Sequence, residues 1–533
     1  MEKYQLYKNG KIFTAVSRYY FVEAMIAKDG IITWTGKKEE IPAGDYEEID
    51  LNGACVIPGF VDAHMHAVLL SGYVRQICAM SPKINSITEL TEAIQKKRLE
   101  QGPGRWCLGW GYDESKIKEK RLPDRYDLDR GCADSPVSIV RTCAHIRCVN
   151  SKALEIAGIT KDTKDPEGGE IVRDASGEPT GILKEKARDL ILDFIPTPDR
   201  EESVKDLVDL GRKLLSQGIV AIGDMGNLDS TDNYPLFLQA SKRGFLQETA
   251  VYSMWDYISE KEMDLSAEKW DKNGQIFYAG LKLICDGSVS GKTAWMAQPY
   301  LGSKENYGIF ACTKQQLALA IDFCKKRHCQ LALHAMGTRT ISHIIDTVCQ
   351  EDKWTIGAEP HVRVEHVTDP TMDSMSKAAQ NGISVVTQPI FLYSEIESYV
   401  NNLGHKWLKR CYPVKQLLDQ NVKVCFSTDA PANSWPEPAD PFSNIKGSVT
   451  RIAYDGTDMG QEQAIDVNTA ILLYTREAAE ICGLQKLGQL KEGYKAHFIV
   501  LDKDIFTIPS EEIDTVKVET VYMYGKEVYS MLF

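Results

Sequence analysis

His64 and His66 close an apolar run that begins at Val56. In a β-strand, residues i and i+2 point to the same side. The pair can therefore face one point, as two ligands of one metal would. Other polar residues recur in or just after later apolar runs. Lys282 stands within Gly280-Leu281-Lys282-Leu283-Ile284-Cys285-Asp286, and His334 follows Gln330-Leu331-Ala332-Leu333. His366 ends Val362-Arg363-Val364-Glu365-His366, and Asp429 follows Val424-Cys425-Phe426-Ser427-Thr428. Any one of these histidines is ordinary as a structural residue. Four of them and an aspartate, placed at strand ends, point to a shared metal centre.

Alternation puts Leu281, Leu283 and Cys285 on one strand face and Lys282 on the other. A lysine in an apolar interior is costly unless it is paired or chemically changed. Two readings follow: an ion pair with Asp286, which shares its face, or an Nε-carboxylated Lys282 whose carbamate could bridge two cations. The same alternation groups His366 with Val362 and Val364. It leaves Arg363 and Glu365 on the opposite, normally apolar face, with no reason visible in the sequence. His145 follows the run Val137–Ala144 and reads either as a substrate contact or as a structural residue. Asp224, in Ile222-Gly223-Asp224-Met225-Gly226, reads as a hydrogen-bonding anchor. His328, His343, His361, His405 and His497 read as surface or structural residues.

These residues need a scaffold that gathers strand ends. Candidate strands end near His66, Thr142, Asp224, Cys285, His334, His366, Thr387 and Thr428, and helical signals lie between many of them. Ser86 with Glu89 reads as a helix start, as do Thr197-Pro198, Thr313 before Leu317, Ala320, Ile321 and Cys324, and Asp369-Pro370. Strands alternating with helices predict an α/β chain, a (β/α)8 TIM barrel with its active site at the C-terminal strand ends. The predicted barrel spans 58–487, with an inserted subdomain at about 72–195. Residues 1–57 and 488–533 read as short strands and turns, one accessory β-domain built from both termini.

Composition bounds the partners. The 533 residues carry a formal net charge of −13 and no lysine- or arginine-rich block, which argues against nucleic acid or an anionic membrane as partner. No stretch approaches the roughly 18 apolar residues of a membrane span. The N-terminus lacks the apolar core of a signal peptide. The 14 cysteines contain no Cys-x-x-Cys pair and read as reduced thiols, so a cytoplasmic location is expected.

Pro58-Gly59-Phe60-Val61-Asp62-Ala63-His64-Met65-His66 resembles a signature of the amidohydrolase superfamily. So does the order in which the lysine strand, Leu333-His334-Ala335-Met336-Gly337, Arg363-Val364-Glu365-His366 and Ser427-Thr428-Asp429-Ala430-Pro431 follow it. Gly109-Trp110-Gly111-Tyr112-Asp113, Asn150-Ser151-Lys152-Ala153-Leu154 and Gly168-Gly169-Glu170-Ile171-Val172-Arg173-Asp174 resemble its YtcJ-like branch. The resemblance implies a distorted barrel with a composite β-sandwich. It also implies one or two divalent metals, usually zinc. His64 and His66 would hold the more buried ion, His334 and His366 the more exposed one, and Lys282 would bridge. Asp429 would be both ligand and proton shuttle for metal-activated hydroxide. The implied reaction is hydrolysis of a non-peptide carbon–nitrogen bond (amide, N-formyl or cyclic amide) in a small molecule. Hydrolytic deamination on the same machinery is the alternative, and a non-catalytic scaffold a more distant one. A homodimer is the commonest prior for such a chain. Thr338 and His497 depart from the branch, which usually has Asp at both positions. Trp110, Tyr112, Trp295, Phe391 and Tyr393 are candidate pocket aromatics.

Overall fold

The computed structural model describes residues 4–531 except 115, 143–145, 227–230, 256, 257, 259–266 and 355. The chain divides into two compact units, one of Met1–Val68, Leu207–Asn433 and Ala439–Phe533, the other of Leu69–Asp206 and Ser434–Pro438.

The larger unit is built on eight parallel strands. They are β1 (Phe60–Met65), β2 (Ile219–Asp224), β3 (Glu248–Met254), β4 (Ile276–Ile284), β5 (Gln330–Ala335), β6 (Val362–His366), β7 (Ser384–Thr387) and β8 (Val424–Phe426). They lie side by side in sequence order. Two backbone hydrogen bonds join the ends of the row: Asp429 N–H donates to the His64 carbonyl and His66 N–H to the Ala430 carbonyl, each at 2.8 Å. The sheet is therefore a nearly closed (β/α)8 barrel. Small and apolar side chains fill it, among them Val61, Ala63, Ala221, Ala250, Ala279, Ala332 and Cys425, packed with Ala478, Ile481 and Leu484. The helix Lys314–Arg327 starts where Thr313 accepts from Gln316 N–H, and it buries Leu317, Ala320, Ile321 and Cys324, the face its spacing predicts.

The expected strand set is corrected at one member. The run ending near Thr142 is not in the barrel; Val137–Arg141 pairs inside the other unit. The barrel strand in its place is β3, Glu248–Met254, which places Asp224 on the second strand and Lys282 on the fourth. Glu248, Thr249 and Ser253 interrupt the apolar pattern of β3, yet all three are buried. Glu248 is neutralised by Lys495, at 2.6 Å, from the far end of the chain.

The terminal segments form two further sheets. One contains Tyr4–Lys8, Ala24–Lys28, Ile31–Gly36 and Tyr46–Asp50; the other joins Lys11–Phe13, Phe21–Val22 and Cys55–Pro58 to Phe498–Leu501, Val518–Met523 and Lys526–Ser530. Tyr7, Met25, Ile32, Val56, Phe498 and Val500 share one core between them. The smaller unit has its own six-stranded sheet and two apolar clusters of its own. No described helix is long and apolar enough to cross a membrane, and the thirteen described cysteines are free.

Candidate metal centre

The end of β1 delivers two imidazoles to one carboxylate. His64 Nε2 lies 3.2 Å and His66 Nε2 3.3 Å from Asp429 Oδ1. The other nitrogen of each ring is occupied: His64 Nδ1 meets Glu365 Oε2 at 2.5 Å, and His66 Nδ1 meets the Gly226 carbonyl at 2.7 Å. A carboxylate or carbonyl oxygen can only accept, so these Nδ1 atoms carry the proton and each Nε2 presents a lone pair. Asp429 Oδ1 is buried and has no hydrogen-bond donor. Three lone-pair atoms thus converge with no proton among them, a donor set complementary to a cation.

His366 and His334 extend the cluster. His366 Nδ1 meets Gln388 Oε1 at 2.8 Å, and His334 Nε2 donates to the Gly287 carbonyl at 3.1 Å. The His366 ring centroid is 4.4 Å from that of His334 and 5.1 Å from that of His64. Ligating atoms of His64, His366 and Asp429 all lie within 4.8 Å of one another. Lys282 Nζ is 3.5 Å from His64 Nε2. The structure therefore brings His64, His66, Lys282, His334, His366 and Asp429 together, and this set of imidazoles and carboxylate suits a divalent metal. His145 lies outside the described residues.

Local backbone geometry makes the convergence possible. His366 and Val367 have φ of +73° and +52°, and Asp429 has +55°. Left-handed backbone is uncommon for such residues and breaks strand alternation where it occurs. The expected facing of β6 is corrected for this reason. Arg363 and Glu365 point into the barrel, and the turn at His366 returns its side chain to that same side. Arg363 Nε donates to Glu365 Oε1 at 2.5 Å and Nη2 to the Ala63 carbonyl at 2.7 Å, and both side chains are fully buried. The Lys282–Asp286 ion pair does not form either. Asp286 instead accepts the backbone N–H of Met336, Gly337 and Trp295 at 3.0, 2.8 and 3.1 Å, which ties the loop after β5 to the end of β4.

The electrostatics follow from burial and from close charges. Burial, helped by the Lys282 ammonium, pushes His64 below its ordinary pKa. Burial pulls His66 the same way, but the close negative charge of Asp429 outweighs it and raises this imidazole. Burial and then His334 hold His366 well below the usual range. Burial brings Lys282 down to about 8. For Glu365, burial is overcome by Arg363, and the carboxyl stays ionised.

Asp224 anchors, accepting from Ala67 N–H at 3.1 Å and Asn233 Nδ2 at 2.8 Å. Thr338 donates to Asp369 at 2.5 Å, and Arg410 pairs with the same carboxylate at 3.1 Å. Of the candidate aromatics, Phe391 lies beside the centre, 6.0 Å from the His366 ring. Tyr112 belongs to the core of the smaller unit. Glu365, Gln388 and Asp286 support the centre without being marked by the strand-end pattern. Arg363 and Glu365, opposite charges two apart in an otherwise apolar strand, were the available signal.

Over nearly its whole length the chain is similar to known proteins. A model of the amidohydrolase family matches residues 47–529. The chain is 27% identical to the putative amidohydrolase YtcJ of Bacillus subtilis, over 98% of this chain and 99% of that one. It is 26% identical to the N-substituted formamide deformylase of Arthrobacter pascens, over 97% and 96% of the two chains. The crystal structure of an uncharacterized metal-dependent hydrolase from Pyrococcus horikoshii superposes with a TM-score of 0.73 at 24% identity, covering 95% of this chain and 99% of that one. Gathered strand ends, paired imidazoles and a match over nearly the whole chain lead to one conclusion: this protein belongs to the amidohydrolase family of metal-dependent hydrolases.

Proposed function

We propose that the protein hydrolyses a non-peptide carbon–nitrogen bond, of the amide, N-formyl or cyclic amide kind, in a small molecule. The observation that carries this reading is the pair of Nε2 lone pairs facing the donor-free Asp429 Oδ1. His64, His66, His334, His366 and Asp429 would hold one or two divalent ions, with zinc favoured by the imidazole-rich donor set. When bound, such an ion lowers the pKa of water and polarises a carbonyl. Asp429 takes a proton from the attacking water and returns it to the leaving nitrogen, one carboxylate serving both transfers. Glu365 and Gln388 hold the rings of His64 and His366, and the Asp286 carboxylate holds the loop after His334. Lys282, among the imidazoles, suits a carbamate bridge between two ions. That placement favours this reaction over deamination, for which the same machinery usually works with one metal.

The test begins with the metal content of the purified protein, followed by turnover on a panel of N-acyl and N-formyl compounds. Asp429→Asn is expected to keep the fold and most of its metal while kcat falls by about 10²- to 10⁴-fold, the range of a lost general acid–base group. An unchanged kcat in that variant, or equal turnover after chelation, would discard the reading. Mass spectrometry finding no carbamate, together with Lys282→Ala retaining two metals, would remove the bridge alone.

A further inference from the structure

The smaller unit carries a cationic site of its own. Across five neighbouring strands of its sheet, Cys78, Trp110, Val140, Arg147 and Leu183 are paired in one row. Residues paired in this way share a face of the sheet. Arg147 Nη1 donates to Ser138 Oγ at 2.7 Å, while its buried Nε has no acceptor. Among the described residues, no carboxylate answers its charge. Burial first, then the like-charged Arg188, draws the guanidinium down to about 10, against the opposing pull of the Tyr73 hydroxyl. Trp110 is 7% exposed, and its indole N–H also lacks an acceptor. Tyr73 stacks on Trp110 with ring centroids 4.8 Å apart and 15° between the planes.

Buried N–H groups in folded proteins are nearly always satisfied, and a half-buried cation such as Arg147 without a counter-charge carries part of the cost of a buried one. Two such donors on one sheet face, beside a stacked aromatic pair, form a site that an anion would complete. A guanidinium fork matches a carboxylate with two parallel hydrogen bonds. Two strand spacings, roughly 10 Å, separate the backbones of Trp110 and Arg147, a gap that these long side chains and a small ligand can span. We propose that this face binds a small organic carboxylate, its oxygens on Arg147 and the Trp110 indole N–H and its apolar body against the Tyr73–Trp110 pair. The proposal rests on residues of the smaller unit alone.

The full metal-loaded protein would be titrated with benzoate, with inorganic phosphate as the comparison anion, by calorimetry and tryptophan fluorescence. Benzoate is expected to bind saturably and to raise Tm. Arg147→Met should weaken benzoate about 10- to 100-fold, as expected for lost hydrogen bonds to a charged group, and should abolish the Tm shift. Arg147→Lys keeps the charge without the fork and should weaken binding severalfold; if the methionine variant does not fold, this one decides. Unchanged benzoate affinity in the folded Arg147 variants, which would place the anion elsewhere, overturns the proposal. So does the absence of saturable binding to the unaltered protein. Phosphate binding as tightly as benzoate with the same dependence on Arg147 overturns the assignment to a carboxylate.

Discussion

The barrel mouth and the seam where β3 meets the C-terminal strands both bury histidine, in opposite ways. At the mouth, His64, His66, His334 and His366 each give one ring nitrogen to a protein oxygen, which leaves the other as a lone pair. At the seam, His497 is 2% exposed and neither of its nitrogens has a hydrogen-bond partner among the described residues. Glu248 Oε1 is 3.9 Å from it, but that carboxylate is committed to Lys495 and to the Tyr524 hydroxyl. The Tyr524 ring meets the imidazole edge-on at 4.4 Å. Burial alone therefore does not mark a ligand. What separates the two regions is the acceptor behind each ring, which fixes the tautomer and aims the remaining nitrogen.

Removing that acceptor should convert a mouth histidine into one of the seam kind. Glu365→Ala is expected to have the largest effect, because it also strands Arg363 as a buried, unpaired charge. A loss of about 3–5 kcal/mol is expected in urea unfolding. Metal affinity should fall about 10- to 100-fold in chelator competition. A variant with unchanged midpoint and unchanged metal affinity would erase the distinction between the two regions. Gln388→Ala should be milder. It frees His366 Nδ1 and leaves Ser427 without its amide donor, so about tenfold weaker metal binding is expected, with a stability loss near 1 kcal/mol. Equal metal affinity in this variant would mean that the ring of His366 is held by packing alone.

The mouth was legible in the sequence where chemistry and strand ends coincide. His64 and His66 closing an apolar run, Lys282 inside one and Asp429 just past another could be read without a structure. The supports were not legible, because they act between strands remote in sequence. Glu365 reaches His64 across 301 positions, and Asp62 takes the Thr428 hydroxyl across 366. Local alternation also misled at two places. It could not foresee the left-handed backbone of His366 and Val367, which reverses the facing of β6. It does not tell which sheet an apolar run joins, and Val137–Arg141 pairs in the smaller unit rather than in the barrel. β3 does not stand out in the sequence because its buried Glu248 is neutralised by Lys495, almost 250 residues away. The fold class survived these errors, since the alternation of strands and helices does not depend on any one strand.

At neutral pH the seam offers the smallest effect, and on acidification the cleanest sign. Burial first, then the Lys495 ammonium, pushes His497 from 6.5 down to about 3. A folded-state value below the unfolded one means that the unfolded chain binds the extra proton, so stability rises with pH across that interval and falls as the solution is acidified. His497 should then cost about 1.4 kcal/mol for each pH unit from 6.5 down to about 3, the slope of one proton. His497→Phe keeps a ring against Tyr524 and deletes both unsatisfied nitrogens. At pH 7.5 it should be neutral or more stable by roughly 1 kcal/mol, with metal content unchanged. Between pH 6 and 4 its urea midpoint should fall less steeply than that of the unaltered protein. His361, lowered by burial to about 4, keeps its own share of the slope in both proteins. Parallel midpoint curves would show that His497 reaches a partner after all, and the contrast between tied and untied histidines would then rest on the mouth alone.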